Sequence, residues 1–311
     1  MQRRDALILA GTLAAPAIHA QEAFPGNRTL TLTVGFAPGG VGDMVMRQLS
    51  ESARAKRGVQ TVVDFRPGAG SALSLDRIAR ATPDGTQVAL GSVSALWIIP
   101  HQQQLGYDPR QLTGLGQISG HPLAVYVKTD SPLRSWADLL AYARSNPGKL
   151  SWGTTGSRGF AEVLVEAAFR HEGVQTSTVP FRGGAEAIAS MMGGHIDAVA
   201  SADFGPLLAQ GAVRLLAETG PNKVPGHPDV PTFRELGYPL SDAVAYGVVG
   251  PPGIPRQAVL WWQEVIRETT QDPAFIEALR RIYAVPDYLD AEAYTRAIRD
   301  GYARFGAALR G

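Results

Sequence analysis

Residues 34–48 read VGFAPGGVGDMVMRQ, and the alternating run TLTLTV leads into them. The β-branched run ends at Pro38-Gly39-Gly40, and apolar residues at helical spacing (Met44, Val45, Leu49) begin near Asp43, so the stretch predicts strand, glycine turn, helix. Such a turn can serve as a socket for an anion. Glycine lets a ligand approach the backbone closely, and the free N–H groups of a new helix carry roughly half a positive charge toward the turn. Asp43 is placed to cap that helix by accepting from N–H groups two or three residues on, and it then competes with an anionic ligand for the same field. Many α/β proteins use the same unit only as a tight turn. Phe36, Ala37, Pro38, Gly39, Gly40 and Asp43 are therefore candidate ligand-binding residues that need a second element to act with.

The grammar repeats outward from this point. Val59–Asp64 predicts a second strand, and FRPGAGSALSLDRIARA a turn into a helix. Gly68-Ala69-Gly70 opens like a dinucleotide fingerprint, but Leu73 stands where the third glycine belongs, so a tight turn is the expectation and no cofactor is predicted. A third strand beginning at Gln87–Leu90 and ending at GSVSALW puts Ser92 and Ser94 at a carboxyl end, beside the first socket if the sheet is parallel. Residues 121–153 give strand PLAVYVK, turn TDSP, helix SWADLLAYARS opened by a Ser135/Asp138 capping pair, a stop at Asn146-Pro147-Gly148, and strand KLSWG.

Next comes TTGSRGFAEVLVEAAFR, where Thr154, Thr155, Gly156, Ser157 and Arg158 gather hydroxyls, a glycine and a cation at the start of an amphipathic helix. Hydroxyls and main-chain N–H groups fix a carboxylate's orientation, and Arg158 can add a charge-assisted bond. The alternative is that one hydroxyl caps the helix and the rest are solvated. VPFRGGAEAIASMMGG and HIDAVASAD supply a further strand–glycine–helix unit and a strand ending near Asp203, and Arg182 faces either the cleft or solvent. After VRLLAETG, the proline-rich PDVPTFRELGYP and the strand of AVAYGVVGPPGIP, the last 55 or so residues read as helices punctuated at Asp272-Pro273 and Pro286, with Trp261, Trp262, Phe275, Tyr294, Tyr302 and Phe305 as packing residues.

Arg3-Arg4, the apolar run ALILAGTLAAPAI and the ending Ala17-Ile18-His19-Ala20 fit an export signal over residues 1–20, cleaved before Gln21, which predicts a periplasmic protein. Removing it takes away Arg3, Arg4 and Asp5 and leaves acidic and basic residues balanced. With no basic run and no aromatic–basic interleaving, no nucleic-acid partner is expected. There is no cysteine, so stability rests on the core of one or two ordinary domains. The six histidines (19, 101, 121, 171, 195, 227) have no metal-ligand spacing, so no metal site is predicted, and the protein is expected to act as a monomer.

Alternating strands and helices predict α/β with mostly parallel sheets, and the length suits two lobes. The chain is expected to cross near Gly120–Pro122 and to return near Tyr246–Pro252, giving lobe 1 as 21–121 with 247–311 and lobe 2 as 122–246. That arrangement puts the loops at 36–43 and 92–95 on one wall of a cleft and those at 154–158 and 200–203 on the other, which suits hinge closure on a small ligand.

The series FAPGGVGD, RPGAGS, PDG before a strand, PGKLSWGTTGSRG, VPFRGG, GGHID, PDVPTFRELG and GPPGIP resembles, in order and spacing over nearly the whole mature chain, the Bug family, the TctC-type periplasmic receptors of tripartite tricarboxylate transporters. The resemblance implies a two-lobed type II periplasmic binding protein fold. It also implies a small carboxylate or related polar metabolite as ligand, gripped by the loops Ala37–Gly40 and Thr154–Ser157, and delivery to a transporter's membrane components. This chain departs from the family pattern at Val63-Asp64-Phe65-Arg66-Pro67, where an asparagine is usual before the Arg-Pro, at Gly159-Phe160, where a histidine is common, and at Arg182, where lysine is usual. Phe160 and Phe181 are expected to make the pocket less polar than in citrate-type receptors.

Two competing functions remain open on sequence. A receptor that reports to a signalling partner would use the same binding chemistry. An exported serine hydrolase would use Ser157, since Thr155-Gly156-Ser157-Arg158-Gly159 is one residue from G-x-S-x-G, but neither His195 nor His227 stands where the triad order requires.

Overall fold

The computed structural model describes residues 24–310; the expected leader, with its cut before Gln21, lies outside them. In chain order the elements are β1 (Leu30–Val34), α1 (Val41–Arg57), β2 (Thr61–Phe65), α2 (Ala72–Ala79), β3 (Gln87–Ser92), β4 (Thr113–His121), β5 (Ala124–Lys128), α3 (Trp136–Ser145), β6 (Ser151–Thr155), α4 (Phe160–His171) and β7 (Ser177–Phe181). They continue with α5 (Gly184–Met192), β8 (Ala198–Ser201), α6 (Gly205–Ala209), β9 (Val213–Glu218), β10 (Val244–Gly250), α7 (Arg256–Thr270), α8 (Pro273–Arg280), β11 (Val285–Leu289) and α9 (Ala291–Ala308).

Two sheets result, ordered β11-β4-β10-β3-β1-β2 and β7-β6-β8-β5-β9. The chain passes to the second sheet between His121 and Ala124 and comes back between Glu218 and Val244, so the return strand starts slightly before the expected position 247. Each sheet closes through local physics. In α1, Val45, Met46, Leu49 and Ala53 fall on one buried stripe, and left-handed Gly58 ends the helix by donating its N–H to the Arg54 carbonyl. Trp262 of α7 fills the first lobe and donates its indole N–H to the Gly85 carbonyl at 2.8 Å. In the second lobe Trp136 stacks on Phe169 at 5.6 Å and donates to the Tyr238 hydroxyl.

The sheets are mixed, not mostly parallel. β1 runs parallel to β2 and β3, and β6 parallel to β7 and β8, but β10 opposes β3 and β4, β11 opposes β4, and β5 opposes both β8 and β9. The reversed strands are chiefly those flanking the two crossings: a chain that enters a sheet from the hinge edge runs against strands returned by their own helices. Two strands went unforeseen. β4 contains three glycines, which depress strand propensity, and β11 sits inside the expected helical tail as an edge strand, where Pro286 is tolerated. Among the described residues no helix is long and apolar enough to cross a membrane, and no cluster could hold a metal.

Candidate functional site

Three helices open in the same way at the junction of the lobes. Gly40, Gly159 and Gly183 are the N-caps of α1, α4 and α5, all in extended backbone and none with a side chain to offer. Three residues after each glycine stands an acid that reaches back to an amide ahead of the helix: Asp43 takes Gly39 N–H at 2.9 Å, Glu162 takes Arg158 N–H at 2.8 Å, and Glu186 takes Arg182 N–H at 3.1 Å. This is half of a capping box. The missing half leaves the first amide of a helix free for a partner from elsewhere. Helix α1 therefore starts at Val41, ahead of the expected Asp43, and Asp43 does not cap forward; its other oxygen pairs with Arg47 at 2.5 Å.

Two of those free amides, at α1 and α4, are taken across the cleft. Asp203, just past β8 in the second lobe, accepts Val41 N–H of the first lobe at 2.8 Å. Ser94, just past β3 in the first lobe, accepts Phe160 N–H of the second at 2.9 Å. Ala37 N–H also donates to the Arg182 carbonyl at 3.2 Å. The lobes also meet tightly at Gly156, where a β-carbon would stand 2.7 Å from the Gly70 Cα. Burial pushes the Asp203 carboxyl pKa upward, with the Val41 amide and Ser201 hydroxyl partly offsetting it.

Among the described residues, two chambers lie at the glycine loops between the lobes, and Phe36 lines both. The outer one, 190 Å³, is walled by Gly35, Gly68–Ser71, Gly156, Ser157, Pro180, Phe181 and Arg182. The inner one, 30 Å³, is walled by Ala37, Gly40, Val41, Gly42, Leu123, Thr155, Gly184, Ala202, Asp203, Val244 and Tyr246. Larger depressions of 350 and 450 Å³ lie away from the glycine loops, one at the hinge beside His121 and Glu218 and one beside Trp136. The first holds no helix N-terminus and the second only that of α3, which Ser135 already caps, so volume does not pick the site here.

The structure sorts the candidate residues. Phe36, Ala37, Gly40, Thr155, Gly156, Ser157, Arg182 and Asp203 line the chambers, and Gly39 approaches Ala185 across the cleft. Arg158 does not line either chamber; it is exposed, on left-handed backbone (φ 56°). Ser92 is buried and takes Ala95 N–H at 3.3 Å, starting the helical turn Ser94–Ile98, and Thr154 is buried without a hydroxyl partner outside both chambers. Pro38 lines neither. Phe160 packs against Phe305 of α9 at 5.7 Å, so of the two phenylalanines expected in the pocket only Phe181 lines it.

The loop expected to be a bland turn, Gly68–Ser71, is instead chamber wall, with Gly68, Ala69, Gly70 and Ser71 all at positive φ. Two residues in it are not glycine, which is a strain signal that composition alone does not carry. Tyr246 was legible only as a boundary. Neither His195, against Gly193, nor His227, on the Tyr283 ring, lines the chamber holding Ser157.

A family model described as the tripartite tricarboxylate transporter family receptor matches residues 45–310. A Cupriavidus necator protein, "UPF0065 protein in gbd 5'region", is 29% identical over 306 residues, covering 95% of this chain and 93% of that one. Among solved structures, "Structure of a periplasmic transporter" matches with TM-score 0.87 at 28% identity, over 93% of this chain and 98% of that one. An R. palustris protein, Rpa4515, solved with adipate, matches with TM-score 0.84 at 25% identity, over 92% of this chain and 97% of that one.

Proposed function

The chain belongs to the tripartite tricarboxylate transporter receptor family, and from that premise we propose that it captures a small carboxylate between its lobes, without catalysis, for the membrane components of such a transporter. One observation carries this: the outer chamber brings Arg182, Ser157 and glycine backbones of both lobes to one place. The outer chamber holds the carboxylate. Arg182 supplies a cation that no described acid pairs with, the Ser157 hydroxyl is exposed to the chamber, and glycine backbones let an anion approach. The adipate held by the R. palustris relative is a ligand of this class. The protein acts as a monomer in the periplasm after loss of residues 1–20, and the lobes (21–121 with 247–311, and 122–246) close by bending at the two crossings.

The test is a thermal-shift panel of mono- and dicarboxylates that includes adipate, malate and succinate. A ligand at 100 times its Kd adds about 2.7 kcal/mol of stability, so the melting point rises by roughly 5 to 10 °C at this size. A flat response to the whole panel, confirmed by calorimetry, overturns the proposal.

A further inference from the structure

The two chambers differ in charge. Among the described lining residues, Arg182 is the charged one of the outer chamber and Asp203 the charged one of the inner. At the N-terminus of α1, where an anionic ligand group would be sought first, the protein's own carboxylate already holds the Val41 amide. A ligand carboxylate pushed into the inner chamber would face Asp203 in surroundings of low dielectric, where like charges repel strongly. A cation there meets the opposite situation. Asp203 Oδ1 keeps its bond to Val41, while Oδ2, beside Gly184, accepts no hydrogen bond from a described side chain or amide. A carboxylate has lone pairs for several donors, so an ammonium can be added without losing the helix cap. The aromatic walls agree: Phe36 and Tyr246, with ring centroids 6.4 Å apart, both line the inner chamber, and aromatic faces attract cations.

We infer that the ligand is a carboxylate that also bears a cationic nitrogen, an amino acid or a similar zwitterion, with its carboxylate toward Arg182 and Ser157 and its ammonium on Asp203. The inference rests on the carboxylate-receptor reading and narrows it. Asp203 is then the residue that selects for the nitrogen. Gly184 is a condition of that role, because a β-carbon there would stand 1.8 Å from Asp203 Oδ2 and drive the carboxylate off its position.

The experiment is calorimetry on the mature chain with matched pairs: aspartate and succinate, glutamate and glutarate, 2-aminoadipate and adipate, 4-aminobutyrate and butyrate. At least one amino member binds about tenfold or more tighter than its partner, as a charge-assisted bond to a buried carboxylate implies. In Asp203→Asn, whose side-chain oxygen still accepts from Val41, that preference disappears while the melting point of the free protein stays near wild type. Carboxylates without nitrogen binding as tightly as their amino partners overturn the inference and leave the receptor reading standing. Asp203→Asn weakening both members of a pair equally assigns the residue to capping alone and also overturns it. No binding by either half of the panel overturns both readings. Should Asp203→Asn fail to fold, the wild-type ratio decides by itself.

Discussion

The Ser94 hydroxyl receives the Phe160 amide at 2.9 Å, so a side chain of the first lobe serves as the N-terminal partner of a second-lobe helix whose own cap position is glycine. Asp203 and Val41 repeat the arrangement in the other direction. On the proposed closure, each lobe completes a helix of the other only when the cleft is shut. Opening the cleft gives both amides back to water, which costs little, so these bonds favour closure without locking it.

Removing the Ser94 hydroxyl tests that coupling. In Ser94→Ala the closed form buries an unpartnered amide, so ligand affinity falls by roughly 2- to 12-fold, corresponding to about 0.5 to 1.5 kcal/mol. Calorimetry measures the loss. Unchanged affinity together with a lowered melting point of the free protein would mean that the bond serves the fold and not closure.

Close approach at Gly156 is a separate requirement. Gly156→Ala adds a β-carbon at φ +93° within 2.7 Å of the Gly70 backbone, which a flexible side chain cannot relieve. Gly211→Ala, at φ +68° with nothing within 4 Å, is the control that bears only the backbone strain. Both lose roughly 1 to 2 kcal/mol of stability, but only Gly156→Ala fails to contract on saturation with ligand in small-angle scattering. Equal contraction in the two variants would show that the lobes need not meet there.

Arg182 gives the outer chamber its charge. Arg182→Gln weakens carboxylate binding by roughly 3- to 30-fold, less than a buried cation would because this side chain is partly screened by water. Wild-type affinity falls as salt rises from 20 to 300 mM, and the variant's dependence is shallower. Parallel salt profiles would remove Arg182 from the site.

Ser157 is exposed in that same chamber, and no histidine is among its described lining residues. A fluorophosphonate probe leaves the wild-type protein unlabelled. Stoichiometric labelling that disappears in Ser157→Ala would restore the hydrolase function.

Glu218 at the end of β9 sits where the chain crosses between lobes, taking Leu123 N–H at 3.1 Å and the Gly220 N–H. Burial raises its carboxyl from 4.5 to about 8, with the Asp242 charge adding to the rise and the two amides opposing it. The folded form therefore keeps a proton that the unfolded chain releases above 4.5, so this group's contribution to stability declines as pH climbs from about 4.5 to 8 and is constant beyond. Against Glu218→Gln, which cannot titrate, the wild type loses roughly 2 to 5 kcal/mol over that window in urea titrations at pH 5 and 8.5. Profiles that stay parallel would place the folded carboxyl near its ordinary value.

The sequence by itself determined the units and their order. The β-branched run into Pro38-Gly39-Gly40, the repeats at Gly156 and Gly183, and the series of short motifs sufficed for an α/β chain, a two-lobed receptor family and most of the loops that line the cleft, because each of those signals is carried by neighbours in the chain. The pattern of glycine followed three residues later by an acid, at Gly40/Asp43, Gly159/Glu162 and Gly183/Glu186, was also there to be read, and it announces helices left open at the cap. Only the tertiary structure decided what fills them. Phe160 finds Ser94 across 66 residues and Val41 finds Asp203 across 162, and no local periodicity encodes a partner at that separation. The same limit explains β4 and β11, whose residues disfavour strand locally and adopt it because the first sheet needs their backbone hydrogen bonds. Arg158 shows the limit as well: its place in the motif suggests an anchor, yet in the fold it stands exposed on left-handed backbone and lines neither chamber.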